Sequence, residues 1–160
     1  MNHFQSLKTL SYVQVRRILR IWIQTIIPPA ITTALYFLIF GELIGSRIGE
    51  MPGYEGLTYL EFMVPGLIML AVITNSYANV ASAFFGAKFQ KAIEEILISP
   101  MANWAILLGF IVGGIARGVL VGVVVVLVSL FFTNFGISNI FLTLFSILLT
   151  STLFSILGLS

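Results

Sequence analysis

Four long apolar stretches alternate with polar ones along this 160-residue chain. About 20 apolar residues cross the hydrocarbon core of a bilayer, so the pattern predicts membrane spans over 24–44, 62–86, 104–132 and 139–160. Each stretch is too long and too uniformly apolar for a helix of a soluble core. A charged island, 87–100, separates the second and third spans. On a 3.6-residue period Phe89, Ile93, Ile96 and Leu97 share one stripe, and Lys88, Gln90, Lys91, Glu94 and Glu95 occupy the rest of the surface. The island therefore reads as an amphipathic helix. Residues 1–20 repeat the theme, with Phe4, Leu7, Leu10, Val15, Ile18 and Leu19 at helical spacing between Lys8, Arg16, Arg17 and Arg20. Two readings fit them: an interfacial helix in the headgroup region, or a basic stop that only sets topology. The predicted fold class is all-α, a polytopic transmembrane helical protein of about four spans.

Composition sharpens the class. The chain is 59% hydrophobic and 9% charged, with a mean hydropathy of +1.08, against roughly 25% charged residues in a soluble domain. The net charge of +2 follows topology and forms no dense basic patch of the kind nucleic acid requires. Lys and Arg number four before the first span, one in the loop after it, two in the island and none in the last loop. Cations concentrate on the cytoplasmic side, so the N-terminus and the island are predicted inside, and the first loop and 134–139 outside. A cleaved signal peptide would have a shorter apolar region ending in a small-residue cleavage site, so the first span is read as retained.

Several chemistries lack their working parts. The chain has no Cys, no Asp and a single His, His3. It carries no G-x-x-x-x-G-K-[ST] run to cradle phosphates, no HExxH and no Ser/His/Asp set. Neither a catalytic residue, nor a metal ligand, nor a cofactor-binding residue is predicted, and any ATP is used by another subunit.

Inside the spans a few residues stand out. Pro28 and Pro29 lack backbone donors, so they are expected to break the interfacial part from the spanning part or to kink the span, which should begin close to Pro29. Asn75, Ser76, Tyr77 and Asn79 need partners in lipid, either in interhelical hydrogen bonds or along a substrate path. Gly114, Gly118 and Gly122 recur every four positions and bare one helix face for close packing. Arg117 is the one charge in the third span. Thirteen residues past Trp104, at about 1.5 Å each, place it roughly 20 Å into a core of roughly 30 Å, nearer the outer side. Glu61, with Glu42 second, is its candidate ion-pair partner; contact with an anionic substrate group is the other reading.

Together these motifs resemble the permease subunits of bacterial ABC-2 type exporters, in particular the YadH-like and NodJ-like branch. The resemblance is carried in order by Arg20-Ile-Trp-Ile-Gln-Thr-Ile-Ile-Pro-Pro29, Phe40-Gly-Glu-Leu-Ile-Gly-Ser-Arg-Ile-Gly49, Val64-Pro-Gly-Leu-Ile-Met69, Asn75-Ser-Tyr-Ala-Asn79, Phe84-Phe-Gly-Ala-Lys-Phe-Gln90, Ile93-Glu-Glu-Ile-Leu-Ile-Ser-Pro100 and Gly113-Gly-Ile-Ala-Arg-Gly118. It implies a non-catalytic, multi-pass subunit of the bacterial inner membrane that forms a translocation path, dimerises with a second copy and binds a separate ABC ATPase subunit. It also implies that 87–100 is the cytoplasmic coupling helix, with Lys88, Phe89, Lys91, Ile93, Glu94, Glu95, Ile96 and Leu97 docking on the ATPase. Such permeases usually have six spans, so a four-span chain is expected to be the N-terminal part of a longer subunit. The rival readings are a self-contained channel or ion-coupled carrier and a membrane scaffold that transports nothing.

Overall fold

The computed structural model describes residues 3–45, 47, 58–89, 98, 103–132 and 140–159. Among them five α-helices follow in order: α1, His3–Arg20; α2, Trp22–Phe37; α3, Tyr59–Phe89; α4, Asn103–Phe132; and α5, Ile140–Leu157. A π-helical stretch, Leu38–Gly45, continues α2. Four helical segments are long and apolar enough to cross a membrane: Trp22–Gly41, Tyr59–Phe89, Trp104–Phe132 and Ile140–Leu157.

Helix α4 is the axis of the bundle, because a line of missing side chains lets two helices reach its backbone at once. A Cβ on Gly122 would stand 2.9 Å from Val72 of α3 and 2.9 Å from Ile147 of α5. One on Gly118 would collide with Ser76 of α3 and come within 2.8 Å of Ser151 of α5. One on Gly114 would collide with Val80 of α3 and Ser155 of α5. As α4 rises through 114, 118 and 122, its neighbours descend through 80, 76 and 72 and through 155, 151 and 147. Both helices are therefore antiparallel to α4 and parallel to each other. Lipid offers no hydrophobic drive for helices to associate, so small residues that permit this approach supply the packing.

Apolar clusters flank the glycine line. Toward the outgoing end of α4, Phe37, Val64, Ile68, Val72, Val121, Val125 and Ile147 are buried together, and Phe37 stacks on Phe132 at 5.7 Å between centroids. Toward its start, Val80, Ala83, Ile106 and Phe110 form a second cluster, in which Phe84 meets Phe110 edge-on at 5.9 Å.

One sequence expectation needs correction. The chain breaks at Ile21, not at the prolines: Ile21 has φ −107° and ψ 33°, while Pro28 and Pro29 lie inside α2. Backbone bonds from Ile21 to Arg17 and from Thr25 to Ile21 carry the ladder across the joint, and the buried Thr25 hydroxyl donates to the Ile21 carbonyl at 3.2 Å. Pro in a membrane helix is tolerated where neighbouring helices and hydroxyl side chains support the backbone. The joint falls where α1 is held, since Leu10 and Gln14 of α1 stand 2.8 and 3.2 Å from the Cβ sites of Gly109 and Gly113. These matched four-residue steps run α1 alongside the first half of α4, in the same direction.

Phe37 is level with Phe132, so Trp22, fifteen residues earlier, is level with Arg117, midway along α4.

The glycine line makes a direct prediction. Gly118→Ala adds a methyl where Ser76 and Ser151 already sit and should destabilise the purified protein by about 1–3 kcal/mol. Gly66→Ala, at a position with nothing within 4 Å, should leave thermal unfolding in detergent almost unchanged.

Candidate functional site

The polar residues singled out from the sequence converge where α1, α3, α4 and α5 meet. Asn79 is buried on α3, and its Oδ1 accepts a hydrogen bond from Nη1 of Arg117 at 3.4 Å. The Cβ site of Gly113, one turn below Arg117, lies 3.6 Å from the Asn79 amide nitrogen and 3.2 Å from Gln14. Arg117 therefore projects from α4 between α1 and α3. Arg17 of α1 is close enough to repel it electrostatically. Nε of Arg117 and the hydroxyls of Ser76 and Ser155 are buried with no hydrogen-bond partner among the described residues.

Among the described residues the charge is thus held by an amide rather than a carboxylate. Glu61 sits at the other end of α3, where its Oε2 accepts the Thr58 backbone N–H at 3.0 Å. Eighteen residues of helix, about 27 Å, separate it from Asn79, so the structure does not bring Glu61 to Arg117. The Glu61 carboxylate instead meets the donor-rich first turn of α3, where negative charge is favoured. The side chain of Glu42 lies outside the described residues. The Asn75 amide turns back to the Ala71 carbonyl at 3.0 Å and takes no part in the Arg117 contact.

Beside this centre, α2 and α3 enclose a groove of about 320 Å³ bordered by Pro28, Pro29, Thr32, Thr33, Tyr36, Thr74 and Asn75, among others. Its polar groups are hydroxyls and one amide. The Thr74 hydroxyl donates to the Leu70 carbonyl at 2.7 Å, and the Asn75 NH2 is likewise used, so the groove offers mainly weak, uncharged contacts.

At the α1 end, α3 finishes with Lys88 and Phe89, both exposed, Phe89 by 85%. Lys91, Ile93, Glu94, Glu95, Ile96 and Leu97 lie outside the described residues. Among the described residues no group of three or more His, Asp or Glu is placed to hold a metal.

Sequence reading gave no role to Gln14, Ser151 and Ser155, and counted Arg17 only among the cations of the N-terminal segment. Ser151 and Ser155 repeat the four-residue step of the glycines, a signal that could have marked α5 as their partner. Nothing in the α1 sequence announces which helix Gln14 and Arg17 face.

Comparison with known proteins adds an independent line. The family model described as ABC-2 type transporter matches residues 5–160. The chain is 50% identical over 157 residues to the inner membrane transport permease YadH of Escherichia coli K12, covering 98% of this chain and 60% of that protein. The permease of the same name from Shigella flexneri matches to the same extent. The chain thus spans about 60% of the length of these curated relatives. No solved structure matches it.

The amide contact should be measurable. In a double-mutant cycle, Arg117→Met and Asn79→Ala are expected to couple by about 0.5–1.5 kcal/mol in thermal or denaturant unfolding. Arg117→Met and Glu61→Gln should be additive.

Proposed function

Because the chain belongs to the ABC-2 type transporter family, we propose that it forms the membrane-spanning permease part of an ATP-driven exporter in a bacterial inner membrane. A separate ABC ATPase subunit binds and hydrolyses the nucleotide. Two permease copies flank the path, and the N-terminus faces the cytoplasm, in keeping with the four cations that precede the first span.

The observation that carries this reading is the build of α3 and α4. At 31 and 30 residues each is about 45 Å long, well beyond the roughly 30 Å of hydrocarbon. Such lengths leave room for a surplus at the end that carries the charged island. A helix over 87–100 would therefore stand clear of the apolar core, with its stripe of Phe89, Ile93, Ile96 and Leu97 and its rim of Lys88, Lys91, Glu94 and Glu95 available to a cytoplasmic partner. An apolar stripe fills a groove, and a charged rim sets orientation and rejects wrong partners. The glycine line locks α3 to α4, so a displacement of the island moves both as one body. The uncharged groove between α2 and α3 supplies one wall of the path and suits an amphiphile better than an ion.

Two experiments test the reading. The chain contains no Cys, so single cysteines report topology cleanly. Asn134→Cys should react with an impermeant maleimide in intact spheroplasts, and Asn2→Cys only after permeabilisation; the reverse pattern refutes the orientation. An ABC ATPase subunit should co-purify in mild detergent, and Glu94→Lys combined with Glu95→Lys should lower its recovery at least tenfold at unchanged membrane insertion. Undiminished recovery would sink the proposed docking role.

A further inference from the structure

The groove between α2 and α3 is polar at one end and apolar at the other. Helix α2 runs in the direction of α4 and α3 runs against it. Pro28, Pro29, Thr32 and Thr33 therefore stand toward Thr74 and Asn75, and Tyr36 toward Leu67. Thr33 is only 4% exposed, yet it borders the groove, and its hydroxyl has no hydrogen-bond partner among the described residues. The hydroxyls of Thr32 and Tyr36 are likewise unpartnered among the described residues, and the Tyr36 ring is braced by stacking on Phe40 at 5.8 Å. Helix α3 presents acceptors. The Thr74 hydroxyl hydrogen and the Asn75 NH2 are committed to the Leu70 and Ala71 carbonyls, which leaves the Thr74 oxygen and Asn75 Oδ1 to accept. Pro28 and Pro29 have no N–H, so the Gln24 carbonyl also loses the donors four and five residues on, and its oxygen lies against the Pro28 ring.

Such a lining selects by chemistry. Among the described residues no charged side chain borders the groove, and an ion brought there without a countercharge is costly. A cation meets a further obstacle, because Asn79, one helical turn beyond Asn75, holds the Arg117 guanidinium. A purely apolar ligand would leave the three hydroxyls and the α3 acceptors without partners, at a cost for each in a medium that offers no hydrogen bonds. A polyol answers both demands, since each of its hydroxyls can donate to one oxygen and accept from another. The volume, about 320 Å³, lies at the small end of the roughly 300–1,000 Å³ of ligand sites, which suits a single ring and the first carbons of a tail. We propose that this groove binds the uncharged polyol head of an amphiphile, one sugar-sized ring seated among Thr32, Thr33, Thr74 and Asn75. The apolar tail leaves past Tyr36 and Leu67. That the bound amphiphile is cargo rests on the export reading above, whereas the binding itself does not.

The test uses the full chain in lipid nanodiscs and an octyl glucoside that carries a diazirine in its tail, read by mass spectrometry as saturable photolabelling of α3 around Leu67 and Leu70. Unlabelled octyl glucoside should compete. Octyl tetraethylene glycol ether, octyl sulfate, octyltrimethylammonium and free glucose should each compete about tenfold more weakly. Thr33→Val keeps the shape of the side chain without its hydroxyl and should weaken labelling about fivefold, and Thr33→Val with Asn75→Leu about twentyfold. Thr152→Val, on α5, where the hydroxyl donates to the Leu148 carbonyl, should leave labelling unchanged. Should Thr33→Val fail to fold, Thr32→Val and Tyr36→Phe, both at exposed positions, should each cost about threefold. Equal competition by any of the other four compounds, or full labelling of the hydroxyl-free variants, would overturn the proposal. The nanodiscs contain no ATPase, so a failure here is distinct from a failure of co-purification.

Discussion

Close approach along the glycine line of α4 is the contact on which the rest of the bundle depends. In water, burial of apolar area would bring these helices together, but lipid tails are as apolar as the side chains they surround. Stability then comes from dispersion contacts, which fall off over fractions of an ångström, and hence from how near two backbones can come. Gly114, Gly118 and Gly122 provide that nearness on two sides at once. Val80, Ser76 and Val72 enter from α3, while Ser155, Ser151 and Ile147 enter from α5. The same three positions set which residues are level with one another, so they also decide what can meet Arg117.

From that register the polar centre follows. With Ser76 seated at Gly118, Asn79 comes within reach of the guanidinium one helical turn below. A neutral amide cannot neutralise the charge, and Arg17 adds a second cation nearby. A lone cation in the bilayer is costly, and Asn79 gives this one a polar partner inside the bundle. Docked helix α1 completes this end of the bundle and brings its arginines to the same level.

Much of the architecture was legible along the chain. Four uniformly apolar stretches have few alternatives to membrane helices, and the four-residue glycine spacing announced a close contact before its partners were known. The Glu61 pairing failed for a physical reason: it assumed that the most attractive opposite charge would be nearby, whereas the antiparallel register puts Glu61 at the start of α3 and Arg117 level with Asn79, about 27 Å along it. The expected break at Pro28–Pro29 failed because backbone chemistry at a proline says what is lost locally, not what the surrounding helices restore.

By itself the sequence determined the class, the number of long apolar helices, the face of α4 that would be bare, and a set of motifs specific enough to indicate the family. Only the tertiary structure decided that α3 and α5 share that bare face, that Asn79 holds Arg117, that the chain bends at Ile21, and that α1 runs alongside α4. Periodicity reports which face of one helix is small, polar or apolar. It carries no information on how far one helix slides past its neighbour, and in helices that are apolar nearly all round even the facing side is weakly marked. That offset is set by the interlocking of particular side chains, which exists only once the helices are packed.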